Sequence, residues 1–272
     1  MSAGPINPLK LEPIAARAWP AAREGRIGGW RLYASSGYSG RINACWPLAD
    51  PGMSVGDAIA AVEAWYAERS LPPLFKIVDG GGASAALHDA LERLGYRPRT
   101  QTLMMVGPLG GEADAEVRVT DRLDEAFAAV FAAAGAGNPD DARERLEALG
   151  RIAPPRAFAR LDAGGEAAAI GACAIEGSSA GVFAMRTDPR HRRQGLARRI
   201  LNALMARAGE AGATRAYLQV EAENGAALAL YEAAGFAEAY RYRYWGKRPY
   251  PFSHREREYA LKTPAPPLAL RR

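Results

Sequence analysis

From residue 196 the chain repeats an apolar side chain every fourth position, as Leu196, Ile200, Leu204 and Ala208. This spacing predicts a helix with one face laid on a sheet, closing near Gly209 or Gly212. The flanking segments are punctuated as clearly. Residues 115–124 alternate like a strand, and the next stretch puts Phe127, Val130 and Phe131 on one helical face before Gly135. Pro139 and Gly150 frame a second helix. Three strands follow between Arg156 and Thr187, joined by DAGGE and EGSS, both of turn composition. RAYLQV predicts a strand, NGAALALYEAAG a short helix closed by Gly235, and EAYRYRYW a last strand. The order is strand, two helices, three antiparallel strands, helix, strand, helix, strand.

The first half is a shortened echo of that order. GWRLYASSG and GRINACWPL read as strands, then a helix carries Val55, Ile59, Val62 and Tyr66 on one face, with Ser54 and Asp57 as its capping pair. LPPLFKIV, ASAALHDALERLGY and TQTLMMV predict strand, helix and strand. In ALERLGYRPRTQTLMM and LYEAAGFAEAYRYRYW alike, a helix stops at glycine, an aromatic follows and a strand begins. The pattern therefore predicts an α+β chain built as a duplicated unit.

Composition narrows the class. With 272 residues, 49% of them hydrophobic, the chain can bury a sizeable core, and no apolar run is long enough to cross a bilayer. The first residues, MSAGPINPLKLEPI, lack a basic segment followed by an apolar one; the expected address is the cytoplasm, with no membrane partner. Cys45 and Cys173 sit far apart in apolar strands and read as small buried hydrophobes. His88, His191 and His254 are scattered, so no metal is expected. A net charge of +5 is too mild to name a partner.

The chemistry begins at Arg192-x-x-Gly195-x-Ala197. Alone, such a hexapeptide is expected about once by chance in a chain of this composition. Here it directly follows a strand and Pro189, and it opens the amphipathic helix at residue 196. The first amides of a helix have no intrahelical partner, and the dipole adds positive charge, so this junction predicts an anion site. Gly195 and Ala197 let main chain approach a phosphate, and the arginines add charge-assisted bonds.

Residues 185–245 resemble motifs A and B of the GNAT acetyltransferase superfamily, whose Gln/Arg-x-x-Gly-x-Gly/Ala loop is RRQGLA here. The second motif is carried by Asn224, Ala227, Leu230, Tyr231, Gly235 and Phe236. Looser similarity to the first half of tandem members of that superfamily runs through ARAWPA, GWRLYASSGYSGRINACWPL and GYRPRTQTLMM. The resemblance implies two tandem units, each a mixed, mostly antiparallel central sheet flanked by helices. The expected organisation is a degenerate N-terminal domain over 1–108, a linker over 109–116, a catalytic domain over 117–262 and a tail over 263–272. Where the first half should carry a phosphate loop it has ADPGMS, so no cofactor is expected there; its expected roles are support and one wall of the acceptor cleft.

By the same resemblance, acetyl-CoA is the co-substrate and an amine, on a small molecule or a peptide, is the acceptor, attacked directly in a ternary complex. Met185, Arg186 and Thr187 would line the pantetheine arm, with an amide there polarising the thioester carbonyl. Arg192, Arg193, Gln194, Gly195, Leu196, Ala197 and Arg198 would hold the phosphates, Asn224 would contact the arm or brace the loop, and Ala227 and Tyr231 would also touch the cofactor. Tyr231 stands at the family's proton-donor position; the alternative is an aromatic packed beside Leu228 and Leu230. For the base, Gln219 and Glu221 share a strand face, and Glu221 acting through water is the candidate, against a solvated surface carboxylate. A sensor that binds acyl-CoA without transfer is a second reading, motivated by the absence of a carboxylate in GVFAMRT. YRYRYWGKRPYPFSHRERE interleaves aromatic and basic residues as a single-strand binder would, although nucleic acid is not expected as a partner and the stretch reads better as bordering the acceptor site. Monomer and homodimer stay open.

Overall fold

The computed structural model describes residues 7–81, 85–134 and 138–247. Gly135, the start of the helix at Ala83 and Ser84, and everything after Lys247, including His254, most of the basic aromatic stretch, the boundary at 262 and the tail, lie outside the described residues.

Helix α1 (Pro8–Ala18) opens the chain. Asn7 caps it by accepting from the Leu9 amide at 2.9 Å, and Pro8 fills the first turn, where a missing N–H costs nothing. Pro13 inside α1, and the mostly polar strand β1 (Arg23–Ile27), mask both elements at the level of pattern. After them come β2 (Trp30–Ala34), β3 (Cys45–Pro47), α2 (Val55–Ala67), β4 (Leu74–Val78), α3 (Ala85–Arg93) and β5 (Arg97–Pro108). The second half runs β6 (Val117–Thr120), α4 (Glu125–Ala133), α5 (Pro139–Arg151), β7 (Arg156–Ala163), β8 (Glu166–Glu176) and β9 (Ser179–Thr187). It continues with α6 (Leu196–Glu210), β10 (Arg215–Glu221), α7 (Gly225–Glu232) and β11 (Ala237–Gly246). From β6 onward this is the order the pattern predicts. The α6 stripe is buried, with Ile200, Leu204 and Ala208 fully so and Leu196 at its head.

Among the described residues eleven strands form one sheet, in the order β1-β2-β3-β4-β11-β5-β10-β9-β8-β7-β6. Of these strands, β3 with β4 and β9 with β10 pair in parallel and the other neighbours antiparallel. The sheet is mixed and mostly antiparallel, as expected, but the expectation of a separate sheet in each half is corrected. Strand β11 of the second half runs between β4 and β5 of the first, and β5 runs between β11 and β10. Register along these seams extends from Arg215 opposite Pro108 to Glu221 opposite Thr102, and from Tyr242 opposite Val78 to Gly246 opposite Leu74. A period-two pattern states that a strand exists and which face it buries; it does not state whose edge it bonds.

The exchange makes each half depend on the other. Residues 109–272 expressed alone would leave β10 and β11 without β5, presenting unpaired edges that aggregate. The expected result is an insoluble second half that becomes soluble when residues 1–108 are co-expressed. A monodisperse, folded second half on its own would contradict this.

Candidate active site

Strands β9 and β10 are in parallel register only from Ser179 opposite Arg215 to Val182 opposite Leu218. Beyond that point β9 bulges. Ile170 pairs with Arg186 and Ala172 with Phe183, so Ala184 and Met185 together face the single residue Gly171. Ala184 takes φ +55°, a conformation that a side chain disfavours and that recurs where a strand is re-aimed at a site. A Cβ on Gly171 would stand 2.6 Å from Met185 Sδ and 2.7 Å from Ile200, so glycine is what lets α6 seat behind the bulge.

A cavity of about 520 Å³ lies where the two strands part. Phe183, Met185 and Arg186 line it from β9, Gln219 and Glu221 from β10, and Asn224, Ala227 and Tyr231 from the following turn and α7. Trp19, Ser39, Gly40, Arg41 and Thr102 of the first half close another side, with Tyr242 and Tyr244 of β11.

Asn224 holds the acid candidate in place. Its side chain accepts from the Ala227 amide at 3.2 Å, capping α7, and its own amide donates to the Glu221 carbonyl at 2.9 Å. Tyr231 is 8% exposed, with its ring 6.1 Å from that of Phe236. Tyr231 lines the cavity, and its hydroxyl makes no hydrogen bond to another described residue. Burial pushes the phenol above its ordinary pKa, against the opposing pull of the Arg186 and Arg41 charges. A neutral phenol on a residue of the cavity wall is the result.

The basic loop divides its arginines between two tasks. Arg190 is tied to Asp188 at 3.1 Å and Glu166 at 2.9 Å, which holds the Asp188 carboxyl below its usual range. Arg199 binds Asp114 and Glu116, strapping the segment before β6 across α6. Arg192, Arg193 and Arg198 are exposed and have no ion-pair partner among the described residues. Gly195 caps α6 at φ +76°, and no atom lies within 4 Å of where its Cβ would be. Arg198 and Arg199 donate back to the Gly195 carbonyl, so the preceding amides stand at the open end of the helix.

Three unpaired guanidinium groups therefore surround a bare helix N-terminus, next to a splayed parallel strand pair. Residues 9–245 match a family described as probable histone acetyltransferase Rv0428c C-terminal. The chain belongs to this family. It is a GNAT-type N-acetyltransferase, as the motif resemblance implied. The acetyltransferase is 27% identical over 246 residues to the uncharacterized N-acetyltransferase YobR of Bacillus subtilis (strain 168), spanning 88% of this chain and 98% of that protein. A shorter match of 80 residues, 38% identical, links it to the ribosomal protein bS18-alanine N-acetyltransferase of Escherichia coli (strain K12), over 29% of this chain and 54% of that one. A GCN5-related N-acetyltransferase from Kribbella flavida shares the fold with a TM-score of 0.67 at 18% identity, covering 93% of this chain and 98% of the other.

Within the acetyltransferase, the residues expected from sequence fall into two neighbouring places. Met185, Arg186, Glu221, Asn224, Ala227 and Tyr231 line the cavity, whereas the loop from Arg192 to Arg198 and Thr187 lie outside its wall. Leu196 is buried in the core under α6, so only its main chain faces the loop. The Ala227 amide is already used by the Asn224 cap. Arg41, Trp19, Phe131 and Thr102 also reach the cavity, and nothing in their local sequence names it. The alternation in YRYRYW did carry a signal: Tyr240, Tyr242 and Tyr244 are buried while Arg241 and Arg243 face outward. Those rings thus border the cavity or the core and form no exposed stacking platform. Among the described residues no helix is long and apolar enough to cross a membrane, and no group of three His, Cys, Asp or Glu residues could hold a metal.

Proposed function

We propose that this acetyltransferase moves an acetyl group from acetyl-CoA directly onto a primary amine, within a ternary complex. The observation that carries the reading is the parting of β9 from β10 beside the open head of α6. The loop fits a diphosphate: its free amides offer hydrogen bonds, and Arg192, Arg193 and Arg198 offer charge without a competing carboxylate. Bound there, acetyl-CoA would supply a thioester carbon open to a neutral amine and a thiolate leaving group.

The chain's own groups divide the work. Main-chain groups of Met185 and Thr187, on the freed edge of β9, orient the arm and offer an amide to the carbonyl oxygen. The Tyr231 phenol, kept neutral by burial, holds the proton the departing sulfur requires. Glu221, half-buried at the end of β10, takes a proton from the incoming ammonium through water. Residues 1–108 form a degenerate copy of the catalytic unit; both halves place a parallel strand pair at corresponding points of the sheet, β3 with β4 and β9 with β10.

Calorimetric titration with acetyl-CoA tests the reading. The native chain is expected to bind with a micromolar dissociation constant. Gly195→Glu projects a carboxylate into the open space in front of the helix. Like charges brought together at an interface cost several kcal/mol, so affinity should fall on the order of a hundredfold or more. Gly195→Ala, which adds only the strain of a left-handed φ, should lose far less. A flat trace from the native chain would overturn the proposal.

A further inference from the structure

We infer that the acceptor is a small, amino-acid-sized amine that carries its own carboxylate, and that Arg41 receives that carboxylate. The inference rests on reading the cavity as the acyl-transfer site. Arg41 lines the cavity with its guanidinium 5.9 Å from the ring centroids of both Trp19 and Phe183. It is half-buried, and among the described residues no carboxylate pairs with it. Its protein hydrogen bond goes to the Gln219 carbonyl at 3.2 Å. A guanidinium has five N–H donors in a planar fork, so most of the fork is left for a ligand, while the Trp19 and Phe183 rings hold its charge in place by cation–π attraction. By contrast, the cavity's Arg145 is already bonded to Asp141 at 2.7 Å.

The loop that carries Arg41 is held rigidly. Glu144 of α5, 1% exposed, accepts from the amides of Ser36 and Ser39 at 2.6 Å each, from the Tyr38 amide at 3.2 Å and from Asn43 Nδ2 at 2.8 Å. A second-half carboxylate thus clamps the first-half loop, so Arg41 is ordered before any ligand arrives. The span matches too. Arg41 anchors on Gln219, and Glu221 stands two residues further along the same strand, roughly 6.6 Å away at strand rise. An amine near Glu221 and Tyr231 and an anion on Arg41 therefore fit within one small molecule. A polyamine or a lysine on a protein surface brings no anion to answer Arg41.

The test compares the proteinogenic amino acids with their carboxamides, alongside spermidine, O-phosphoethanolamine and a peptide ending in a free α-amine, following thiol release from acetyl-CoA. Expected is a preference for acid over amide on the order of tenfold to a hundredfold in kcat/KM, the range of a charge-assisted hydrogen bond. R41Q should erase that preference, read as the acid-to-amide ratio within the variant, and R41K should keep part of it. Equal rates for acid and amide overturn the inference while the transferase reading stands. So does a preference that survives R41Q, or superior turnover of spermidine, the phosphorylated amine or the peptide. Should no amine be acetylated, the transferase reading fails instead, and the inference is then judged by calorimetric binding of acid and amide to the CoA-saturated protein. There a tenfold acid preference lost in R41Q upholds it and equal affinity overturns it. Thermal melting of R41Q and R41K confirms that both are folded.

Discussion

Tyr231→Phe is expected to lower kcat for acetyl transfer by about 10²–10⁴-fold, the usual contribution of a positioned general acid, while leaving acetyl-CoA binding intact. The substitution isolates the proton. Phenylalanine keeps the ring that packs 6.1 Å from Phe236, and the missing hydroxyl leaves no orphaned partner, since no described residue hydrogen-bonds it. Stability should therefore change little. Calorimetry on the variant separates chemistry from binding. Native kcat in Tyr231→Phe would remove the phenol from the mechanism, whereas a native enzyme that binds acetyl-CoA but acetylates no amine would favour a sensor.

A pH profile adds a second readout of the same group. Burial raises the Tyr231 pKa, so the phenol stays a donor through neutral and moderately alkaline pH. Its donor is lost only as pH rises through the folded value, above the ordinary tyrosine pKa of about 10. The alkaline limb of native kcat assigned to this group should accordingly lie above pH 10 and vanish in Tyr231→Phe. A limb well below that value would have to belong to another residue.

What the sequence disclosed and what it withheld follow from the range of each interaction. The α6 stripe and the small residues at the head of α6 are local; each is written within a few consecutive positions, and the structure has them where the spacing put them. Strand exchange is not local. The segment around Leu103 to Met105 reads equally well as an edge of its own half or as a partner of β10, because backbone hydrogen bonding leaves no trace in side-chain identity. The wall contributed by Arg41 and Trp19 is hidden for the same reason: those residues reach the cavity only after some 140 to 200 intervening positions have folded between them and β9 or β10. One long-range contact does leave a mark in the local sequence. Lys76 sits inside the apolar run LPPLFKIV, and a lysine in a strand whose neighbours are all buried needs a partner.

That partner is Glu12, and breaking the pair is expected to be the most destabilising single change in the molecule. Lys76 and Glu12 are both fully buried, 2.5 Å apart, linking β4 to α1. The Tyr240 hydroxyl of β11 donates to the other Glu12 oxygen at 2.9 Å, and the ammonium lies 3.9 Å from the ring centroids of both Trp46 and Tyr242. Removing one member of such a pair strands a buried charge and costs about 3–5 kcal/mol, a large part of the roughly 5–15 kcal/mol that holds a domain together. Lys76→Met should lower the urea midpoint accordingly, and Glu12→Gln added to it should recover most of the loss, because the double variant has no charge left to strand. The damage should also reach catalysis. Tyr242, beneath the ammonium, donates to Gln219 Oε1 at 2.7 Å and lines the cavity, so a disturbed ring displaces the strand that carries Glu221. Lys76→Met with a loss below about 1 kcal/mol, the level of an exposed pair, would show that the charge finds water or another partner. A double variant no better than the single would show that packing around the triad, rather than its charge, is what the fold depends on.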